Sequence, residues 1–554
     1  MTRGTWRLLA VAVAVAVPLG ACAALPSSGP VTSAVPPAGV HAPLAQHAEG
    51  PRDGAGPRQI IEGFQRACTA GVYDNFKVAR QFLTKTARQS WNPEESTTVL
   101  DEDIGDNLSV QVTDDSHTVE VSGLVLLAVD AYGRETRSAS MYRESFGLVK
   151  ENGQWRIDRL RDGVTMTRSA FANAYTRRNV YFLSASDAMP VADPRWVARH
   201  DLVVNLVKAL YQGPVAQIGS AATTAIPAGA AQQDPIVDVS GAMATVTVPR
   251  QIGELSSGTL TQAAWQIALT LEGVSGISRV ELVYNHRQLP LADLPQPPDY
   301  DLDYFVGVKD GAIVRFTDAR PQTLLPASAL KGRHPRWPAA GPVADQPVVF
   351  MADDGKSLLL SSNQQVRTLL TAEKLTRPSI DRYGYVWTSN PDDGSIPIVV
   401  TPEGDVAELT VPWGPEDRVG RVALNSDGTR ALVWRYTDSR DYVAVYTVRR
   451  VDGVPVELEP GQAIAAPITS VADIGWVDVT TPIVLAGGAD RSVVVSPING
   501  MEDIYAAPPD AVALVAGGTN ADVQVLSSDS HRYRRVGRQW RAVGSGIADV
   551  AHAG

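Results

Sequence analysis

Apolar and polar residues change their period along the first third of the chain, and the change marks two kinds of element. Ile60, Phe64 and Cys68 recur at helical spacing, and a second short helical segment follows them. The period then becomes two, which is typical of strands, and Asn152-Gly153 predicts a tight hairpin turn. We therefore predict a cone-like α+β domain over residues 57–170, with two helices before a curled antiparallel sheet.

A second unit, residues 179–291, mixes strand and helix patterns. After the strand-like segment "NVYFLSA", Asp193 with Pro194 behind it predicts the start of a helix. An apolar stripe from Trp196 to Leu210 continues this helix until Gly213-Pro214 ends it. The remaining predicted elements are a strand pair ("IVDVSGAMATVTVP"), a helix ("LTQAAWQIALTLEG") and a last strand ("GISRVELVYN"). The order predicts an α/β domain.

From residue 301 onward, short β-rich segments alternate with turns and helical spacing is scarce. Asp-Gly or Asn-Gly pairs recur at 310–311, 354–355, 427–428 and 499–500. About 250 residues, at roughly 40–45 residues for each four-stranded blade, predict a β-propeller of five or six blades over residues 301–554. A pair of β-sandwiches is the alternative architecture.

The beginning of the chain has the composition of a targeting segment. Arg3 and Arg7 precede an apolar run, Leu8 to Val17, which is far shorter than the roughly 20 apolar residues that span a bilayer. A short basic region before a short apolar region is typical of a signal peptide. We predict a signal peptide over residues 1–21.

Cys22 is the residue at which two processing sites compete. Ala21-Cys22-Ala23 has the small-x-small form of an ordinary secretory site, which would leave a soluble protein. Leu19-Gly20-Ala21-Cys22 resembles the bacterial lipobox, in which cleavage falls between Ala21 and Cys22. The Cys22 sulfur then carries diacylglycerol and its amino group a palmitoyl chain. We favour the lipobox, because the Pro- and Ala-rich residues 22–56 cannot bury a core and suit a tether.

Charge and cysteine content limit the partners. The formal net charge is −11, and removal of residues 1–21 takes away two Arg and no acid, which gives −13. An acidic protein is a poor ligand for nucleic acid or for anionic lipid, so we expect membrane attachment through the lipid alone. Of the two cysteines, lipidation of Cys22 leaves Cys68 without an intramolecular partner. We interpret Cys68 as a small buried helix residue.

Motifs of known catalytic sites are missing from the sequence. It has no G-x-S-x-G, H-E-x-x-H, Walker A or G-x-G-x-x-G pattern, and its eight His are scattered. Asp299, Asp301 and Asp303 begin like an EF-hand loop but lack its Gly and its closing Glu. Ser426-Asp427-Gly428 has the wrong spacing for a sialidase Asp-box. We therefore predict no enzyme activity, with no catalytic residue, no metal site and no cofactor.

The second unit resembles the GerMN domain. Five landmarks follow one another in the expected order: "VYFL", "ALYQGP", Ile226-Pro227, "ATVTV" and "QIALTL". GerMN domains are extracytoplasmic and occur in bacterial envelope proteins. The resemblance brings no catalytic residues with it.

The whole chain resembles the actinobacterial LpqB lipoproteins, because lipobox, tether, α+β unit, GerMN-like domain and propeller follow in that order. The resemblance implies a lipoprotein anchored to the outer face of the cell membrane and accessory to the MtrAB two-component system. Its implied partner is the extracytoplasmic domain of an MtrB-like sensor kinase, whose signalling affects cell-wall homeostasis and division. It identifies no contact residue on this chain.

A Trp-rich propeller leaves a second function open, namely binding or hydrolysis of envelope carbohydrate. The Trp residues at 387, 413, 434, 476 and 540 would form a platform for sugar rings if they were exposed, or would pack between blades if they were buried. A substrate-binding protein of an importer fits poorly, because that class needs two matched α/β lobes and this C-terminal half is all β.

Overall fold

The computed structural model describes residues 48–552 apart from several gaps, and residues 43–554 form one compact unit. The gaps are 102–108, 114–117, 138–139, 318–320, 518–522 and the single positions 275, 292, 297, 299, 303, 363, 393, 465 and 467. The predicted signal peptide (1–21), Cys22 and most of the tether lie outside the described residues.

The N-terminal domain packs two helices onto a curled sheet. Helix α1 (Pro57–Asp74) buries Ile60, Ile61, Phe64 and Cys68 in the domain core. Helix α2 (Lys85–Ser90) begins after Thr84, whose hydroxyl accepts a hydrogen bond from Ala87 N. The strands are β1 (Ser96–Leu100), β2 (Ser109–Thr113), β3 (Thr118–Asp130), β4 (Glu135–Thr136), β5 (Met141–Glu151), β6 (Gln154–Arg159) and β7 (Val164–Thr167). They form one sheet in the order β6-β5-β3-β1-β7, with β2 and β4 also paired to β3.

The hairpin between β5 and β6 confirms the turn predicted at Asn152-Gly153. Both residues have positive φ, 52° and 77°, as a type I′ turn requires. Helix α3 (Arg168–Ala174) then leads out of the domain and begins after Thr167, whose hydroxyl accepts from Ala170 N.

The second domain is built from two small sheets and two main helices. Strands β8 (Tyr175–Ser184), β9 (Pro190–Ala198) and β10 (Ala222–Thr223) form one sheet in the order β10-β8-β9. Strands β11 (Ile236–Ser240), β12 (Met243–Thr247), β13 (Arg279–Tyr284) and β14 (Arg287–Gln288) form the other. The helices are α4 (Leu202–Tyr211), the single turn α5 (Arg250–Gly253) and α6 (Ser257–Glu272). Apolar faces of α4 and α6 join both sheets in one core.

The helix start predicted at Asp193-Pro194 is wrong. These residues lie within β9, which pairs with β8 from Tyr175↔Ala198 to Leu183↔Pro190, and α4 begins only at Leu202. Five consecutive residues of β9 are buried, so the alternation that identifies a strand in sequence is lost. Because β9 is an edge strand, its prolines remove no hydrogen bond from the ladder interior.

The C-terminal region consists of six four-stranded sheets among the described residues. Blade 1 contains β15 (Phe305–Lys309), β16 (Ala312–Phe316) and β17 (Gln322–Leu325), and blade 2 contains β18 (Pro335–Ala339), β19 (Val348–Ala352), β20 (Ser357–Ser362) and β21 (Gln365–Thr371). Blade 3 contains β22 (Ser379–Ile380), β23 (Val386–Thr388), β24 (Ile398–Val400) and β25 (Val406–Ala407), and blade 4 contains β26 (Arg418–Leu424), β27 (Arg430–Tyr436), β28 (Asp441–Val451) and β29 (Val454–Ala463). Blade 5 contains β30 (Val471–Asp478), β31 (Thr481–Ala486), β32 (Ser492–Val495) and β33 (Asp503–Ala506), and blade 6 contains β34 (Ala511–Val515), β35 (Gln524–Ser527), β36 (His531–Val536) and β37 (Gln539–Ser545).

The last strand closes the ring. Strand β38 (Ala548–His552) pairs antiparallel with β15, so the C-terminal segment supplies the innermost strand of blade 1. This pairing joins the first and the last strand of the propeller region, so no open sheet edge is left between them. The predicted fold class is confirmed, with an α+β unit, an α/β unit and an all-β propeller, and the β-sandwich alternative is wrong.

Candidate functional site at the junction of three domains

The β8–β9 hairpin contacts both of the other domains. Near its base, Trp196 packs edge-on against Phe171, with ring centroids 4.8 Å apart, and donates its Nε1 hydrogen to Glu135 Oε2 at 2.8 Å. Near its tip, the Asp187 carboxylate accepts from Arg382 Nη2 of propeller blade 3 at 2.7 Å. A single hairpin therefore connects the N-terminal domain to the propeller.

The centre of this hairpin carries a buried ion pair. Arg195 and Asp193 are 0% and 2% exposed, and Arg195 Nε and Nη2 donate to Asp193 Oδ2 at 3.0 and 2.8 Å. Arg195 also donates to Ala209 O at 2.8 Å and to Gly213 O at 2.5 Å, near the C-terminus of α4. Asp193, which the sequence suggested as a helix cap, instead neutralises the Arg195 guanidinium. That guanidinium donates to carbonyls at the end of α4 and just beyond it.

Three arginines join the propeller to the other two domains, each through a backbone carbonyl on the far side. A guanidinium suits this task because its five N–H donors point in fixed directions. Burial lowers the pKa of Arg177 below its ordinary value. The contacts run from Arg137 to Gly500 O, from Arg177 Nε to Ile498 O at 2.7 Å, and from Arg430 Nη2 to Ala192 O at 2.8 Å.

Asn499 is a propeller residue whose side chain hydrogen-bonds to both other domains. Its Oδ1 accepts from Glu135 N at 3.0 Å, and its Nδ2 donates to Pro194 O at 2.6 Å. Its φ of 49° lies in the left-handed region that Asn tolerates better than most residues. The sequence marked Asn499-Gly500 only as a turn, since nothing local to that dipeptide signals a domain contact.

A cavity of about 460 Å³ lies within this junction, and all three domains line it. Its apolar wall comes from Val215 and Ile218 of the second domain and from Val445 and Ile498 of the propeller. Its polar lining comprises Arg134, Glu135, Thr136, Arg137, Asp193, Gln217, Arg430, Thr447, Gln462 and Asn499. We call this space the junction cavity.

The propeller axis is filled by a charged cluster rather than by a wide channel. Asp473, 2% exposed, accepts from Arg377 Nη1 at 2.7 Å, from Arg421 Nη1, and from Leu514 N at 2.7 Å. The Arg377 guanidinium lies 4.1 Å from the ring centre of Trp337, and burial lowers its pKa to about 10. These hydrogen bonds tie neighbouring blades together. Only about 50 Å³ of free volume is left beside the cluster.

The residues singled out in the sequence have mostly structural roles where the structure describes them. Cys68 is 2% exposed, and burial raises the pKa of its thiol well above the ordinary value. Asp301 pairs with Arg315 of blade 1 at 3.1 Å, whereas Asp299 and Asp303 lie outside the described residues. Ser426-Asp427-Gly428 forms the turn between β26 and β27.

Two of the tryptophans proposed as a sugar platform are buried between blades. Trp387 is fully buried against blade 4, and Trp476 lies in a core shared by blades 4 and 5. Trp413 packs edge-on against Tyr446 at 4.9 Å, and Trp540 donates to Ala506 O at 2.8 Å. The propeller thus uses these rings for packing.

Within the described ranges, no helix has both the length and the apolar character needed to cross a bilayer. Across the same ranges, no three His, Cys, Asp or Glu side chains are grouped so that they could hold a metal ion.

Comparison with protein families covers all three domains. Residues 50–172 match the N-terminal domain of lipoprotein LpqB, and residues 311–551 match the LpqB β-propeller domain. Residues 179–289 match the Germane domain, described as sporulation and spore germination. The chain belongs to the LpqB lipoprotein family.

Relatives of the LpqB family align over nearly the full length of the chain. Lipoprotein LpqB of Streptomyces coelicolor is 26% identical, with 98% of this chain and 97% of the relative covered. Lipoprotein LpqB of Cutibacterium acnes is 24% identical, with 98% of each covered. Among solved structures, the β-propeller domain of Myceliophteria thermophila Cps50 (Swd1) matches 41% of this chain and 76% of its own, at 8% identity and a TM-score of 0.31. That score is too low to carry an argument about function.

The propeller of this LpqB-family chain presents a second face away from the junction. In a four-stranded blade, the turn after the second strand lies at the opposite face from the turns after the first and third. In blades 2 to 5 this turn carries exposed aspartates, and the junction contacts described above do not reach it. We call these residues the acidic turns: Asp353, Asp354, Asp392, Asp438 and Asp490.

Proposed function

We propose that this LpqB-family protein is a membrane-anchored extracytoplasmic lipoprotein that binds the external domain of an MtrB-like sensor kinase and changes its output. We further propose that it acts by binding and not by catalysis. The observation that carries the proposal is the arrangement of the three domains. The N-terminal and Germane domains occupy one face of the propeller through buried contacts, and the acidic turns lie on the other face.

The proposed anchor is lipid on Cys22. Each buried CH₂ of an acyl chain stabilises membrane binding by about 0.8 kcal/mol, so two or three chains hold the protein stably. Ala48 and Ala55 already pack against the N-terminal domain, so residues 22–47 would allow the folded part to stand off the membrane by up to ~80 Å, at ~3.1 Å per residue of extended chain. This is a suitable range for the external domain of a receptor in the same membrane.

The proposed docking surface is the propeller face that carries the acidic turns. Loops on a rigid scaffold are the usual place for binding residues, and these loops expose their carboxylates, with Asp392 in a half-exposed ion pair with Lys374. Confinement to one membrane raises the effective concentration of both partners, so a weak contact is sufficient. The lipoprotein changes kinase output only if it binds one kinase conformation better than the other.

The first experiment is crosslinking in intact cells, with tagged wild type beside Cys22→Ser, followed by mass spectrometry of captured proteins. We expect wild type to capture a sensor kinase and Cys22→Ser, which is not lipidated, to lose that capture. Capture of wall-synthesis enzymes or glycan without any kinase would refute the signalling assignment and favour the carbohydrate function instead.

A second experiment maps the face. We expect Asp438→Lys combined with Asp490→Lys to reduce kinase capture by at least tenfold. The matched control is Asp405→Lys, an exposed carboxylate in the turn between β24 and β25, which faces the other way. An equal loss of capture in the control, or no loss in the double variant, would show that the kinase does not dock on the acidic turns.

A further inference from the structure

The junction cavity has the composition of a ligand site. It is lined by all three domains, its volume of about 460 Å³ falls within the range of small-molecule pockets, and interfaces between domains are a common place for such pockets. Gly461 and Ala463, which also line it, are exposed and lie at its mouth. A small molecule from solvent therefore has a way in.

Three buried polar atoms in this lining lack a hydrogen-bond partner among the described residues, and one of them, Arg134 Nε, lies in an ion pair with Asp130 at 3.0 Å. Arg430 is 2% exposed and uses Nη2 for Ala192 O, but its Nη1 makes no hydrogen bond, and Asp427 Oδ2 is 3.9 Å away. Gln217 Oε1 is also buried without a partner. A buried donor or acceptor without a partner is destabilising, so a bound group that satisfies Arg430 Nη1 and Gln217 Oε1 is favoured.

The two acids of the lining, Glu135 and Asp193, are each already paired with an arginine, and Asp427, the buried counter-ion of Arg430, lies 3.9 Å from Nη1, beyond hydrogen-bond distance. Arg137 Nε donates to Glu135 Oε1 at 2.5 Å, and Arg195 Nη2 donates to Asp193 Oδ2 at 2.8 Å. Arg430 Nη1 thus keeps hydrogen-bonding capacity, whereas Arg134, another cation of the lining, is already paired with Asp130 at 3.0 Å. A carboxylate is a good partner for Arg430 because guanidinium and carboxylate geometries match.

We propose that the junction cavity binds a small organic acid. Its carboxylate pairs with Arg430 Nη1, its apolar body packs on Val215, Ile218 and Val445, and a hydroxyl or amide donor reaches Gln217 Oε1. This inference goes beyond the proposed kinase-binding function and does not depend on it. Because all three domains line the site, a bound ligand stabilises their packed arrangement by linkage, and so couples a soluble signal to the shape of the protein.

The test uses 1-naphthylacetate as the probe and its neutral amide, 1-naphthaleneacetamide, as the matched ligand control. Full-length Cys22→Ser protein, purified without detergent, is titrated with each by isothermal titration calorimetry. We expect one molecule of the acid to bind per chain, at least tenfold more tightly than the amide. The acid should also raise the midpoint of thermal unfolding.

Substitutions at two positions locate the site without relying on Arg430, whose loss would also free Ala192 O. Gln217→Glu places a carboxylate in the cavity and should weaken acid binding at least tenfold, whereas Gln217→Met should not. Ala463→Trp fills the exposed mouth and should abolish binding, with an unchanged circular dichroism spectrum. Absence of acid binding, equal binding of acid and amide, or binding that survives Ala463→Trp would overturn the proposal. No kinase enters this test, so its failure leaves the proposed function standing.

Discussion

At the scale of single residues, Asn499 shows how one side chain serves two domains at once. Its amide accepts from Glu135 N and donates to Pro194 O, and its backbone takes a left-handed conformation. The effects of these two properties on stability can be estimated one at a time. A hydrogen bond contributes about 1 kcal/mol, and the left-handed conformation costs a Cβ-bearing residue roughly 1–2 kcal/mol.

We expect Asn499→Ala to lower the free energy of unfolding by about 3 kcal/mol, since it removes two interdomain hydrogen bonds and puts into the left-handed conformation a residue that tolerates it less well than Asn. Urea unfolding followed by tryptophan fluorescence measures this. The matched control is Asn285→Ala, where Asn285 is exposed in a turn with the same φ of 49°. A loss no larger than that of the control would contradict a junction role for the Asn499 side chain.

Cys68 is expected to be unreactive in the folded protein. It is buried in α1, and burial raises its thiol pKa, so little thiolate is present or accessible. We expect alkylation by iodoacetamide at pH 8 to be at least about 100-fold slower in native protein than in 6 M guanidinium chloride. In a Cys68→Ala background, Arg66→Cys provides an exposed thiol on the same helix, and it should react at once. Equal rates for the two thiols would show that Cys68 is accessible.

At the scale of elements, the two segments that join distant parts of the chain matter most. The β8–β9 hairpin connects the three domains, and β38 connects the end of the propeller to its beginning. Both roles depend on contacts between residues far apart in sequence. The hairpin turn at Asn152-Gly153, by contrast, depends on its own dipeptide and was predicted from it.

Closure by β38 should be essential for propeller stability. Val550 of β38 is fully buried between blades 1 and 6, so Val550→Asp places a carboxylate in an apolar core. We expect it to lower the free energy of unfolding by more than about 3 kcal/mol. Val536→Asp on the exposed end of β36 is the matched control and should have little effect in thermal unfolding. Similar midpoints for both variants would mean that β38 does not hold the ring closed.

At the scale of the whole molecule, charge is distributed in a way that the net value does not reveal. A chain with a formal charge of −11 concentrates arginines at its two internal centres, the propeller axis and the junction. At both centres, arginine N–H groups donate to carbonyls and carboxylates of segments that are far apart in sequence. These hydrogen bonds hold the segments together.

We expect Asp473→Asn to destabilise the propeller by about 3–5 kcal/mol, because it leaves Arg377 and Arg421 buried without their counter-ion. Asp392→Asn is the control, since its ion pair with Lys374 is half exposed and contributes less than about 1 kcal/mol. Urea unfolding of both variants gives the comparison. Partial rescue of Asp473→Asn by Arg421→Gln would confirm the charge argument, and a small loss in Asp473→Asn would contradict it.

The amino-acid sequence by itself determined the order and class of the domains, the turn at Asn152-Gly153 and the burial of Cys68. Each of these depends on hydrophobic period, turn chemistry or composition, which are local properties. The targeting segment and Cys22 are likewise predictions from local sequence, and they stay predictions. Landmarks spread along the chain also carried the family resemblance, which the comparison of all three domains confirmed.

Only the tertiary structure decided where the junction lies and what Asp193 does. Asp193-Pro194 has the local chemistry of a helix start, but burial on both faces of β9 and pairing with Arg195 override it. Arg430, Gln217 and Asn499 likewise carry no local signal, since their partners are far away in sequence. The junction cavity exists because three domains meet, and such long-range packing leaves no periodic trace in the sequence.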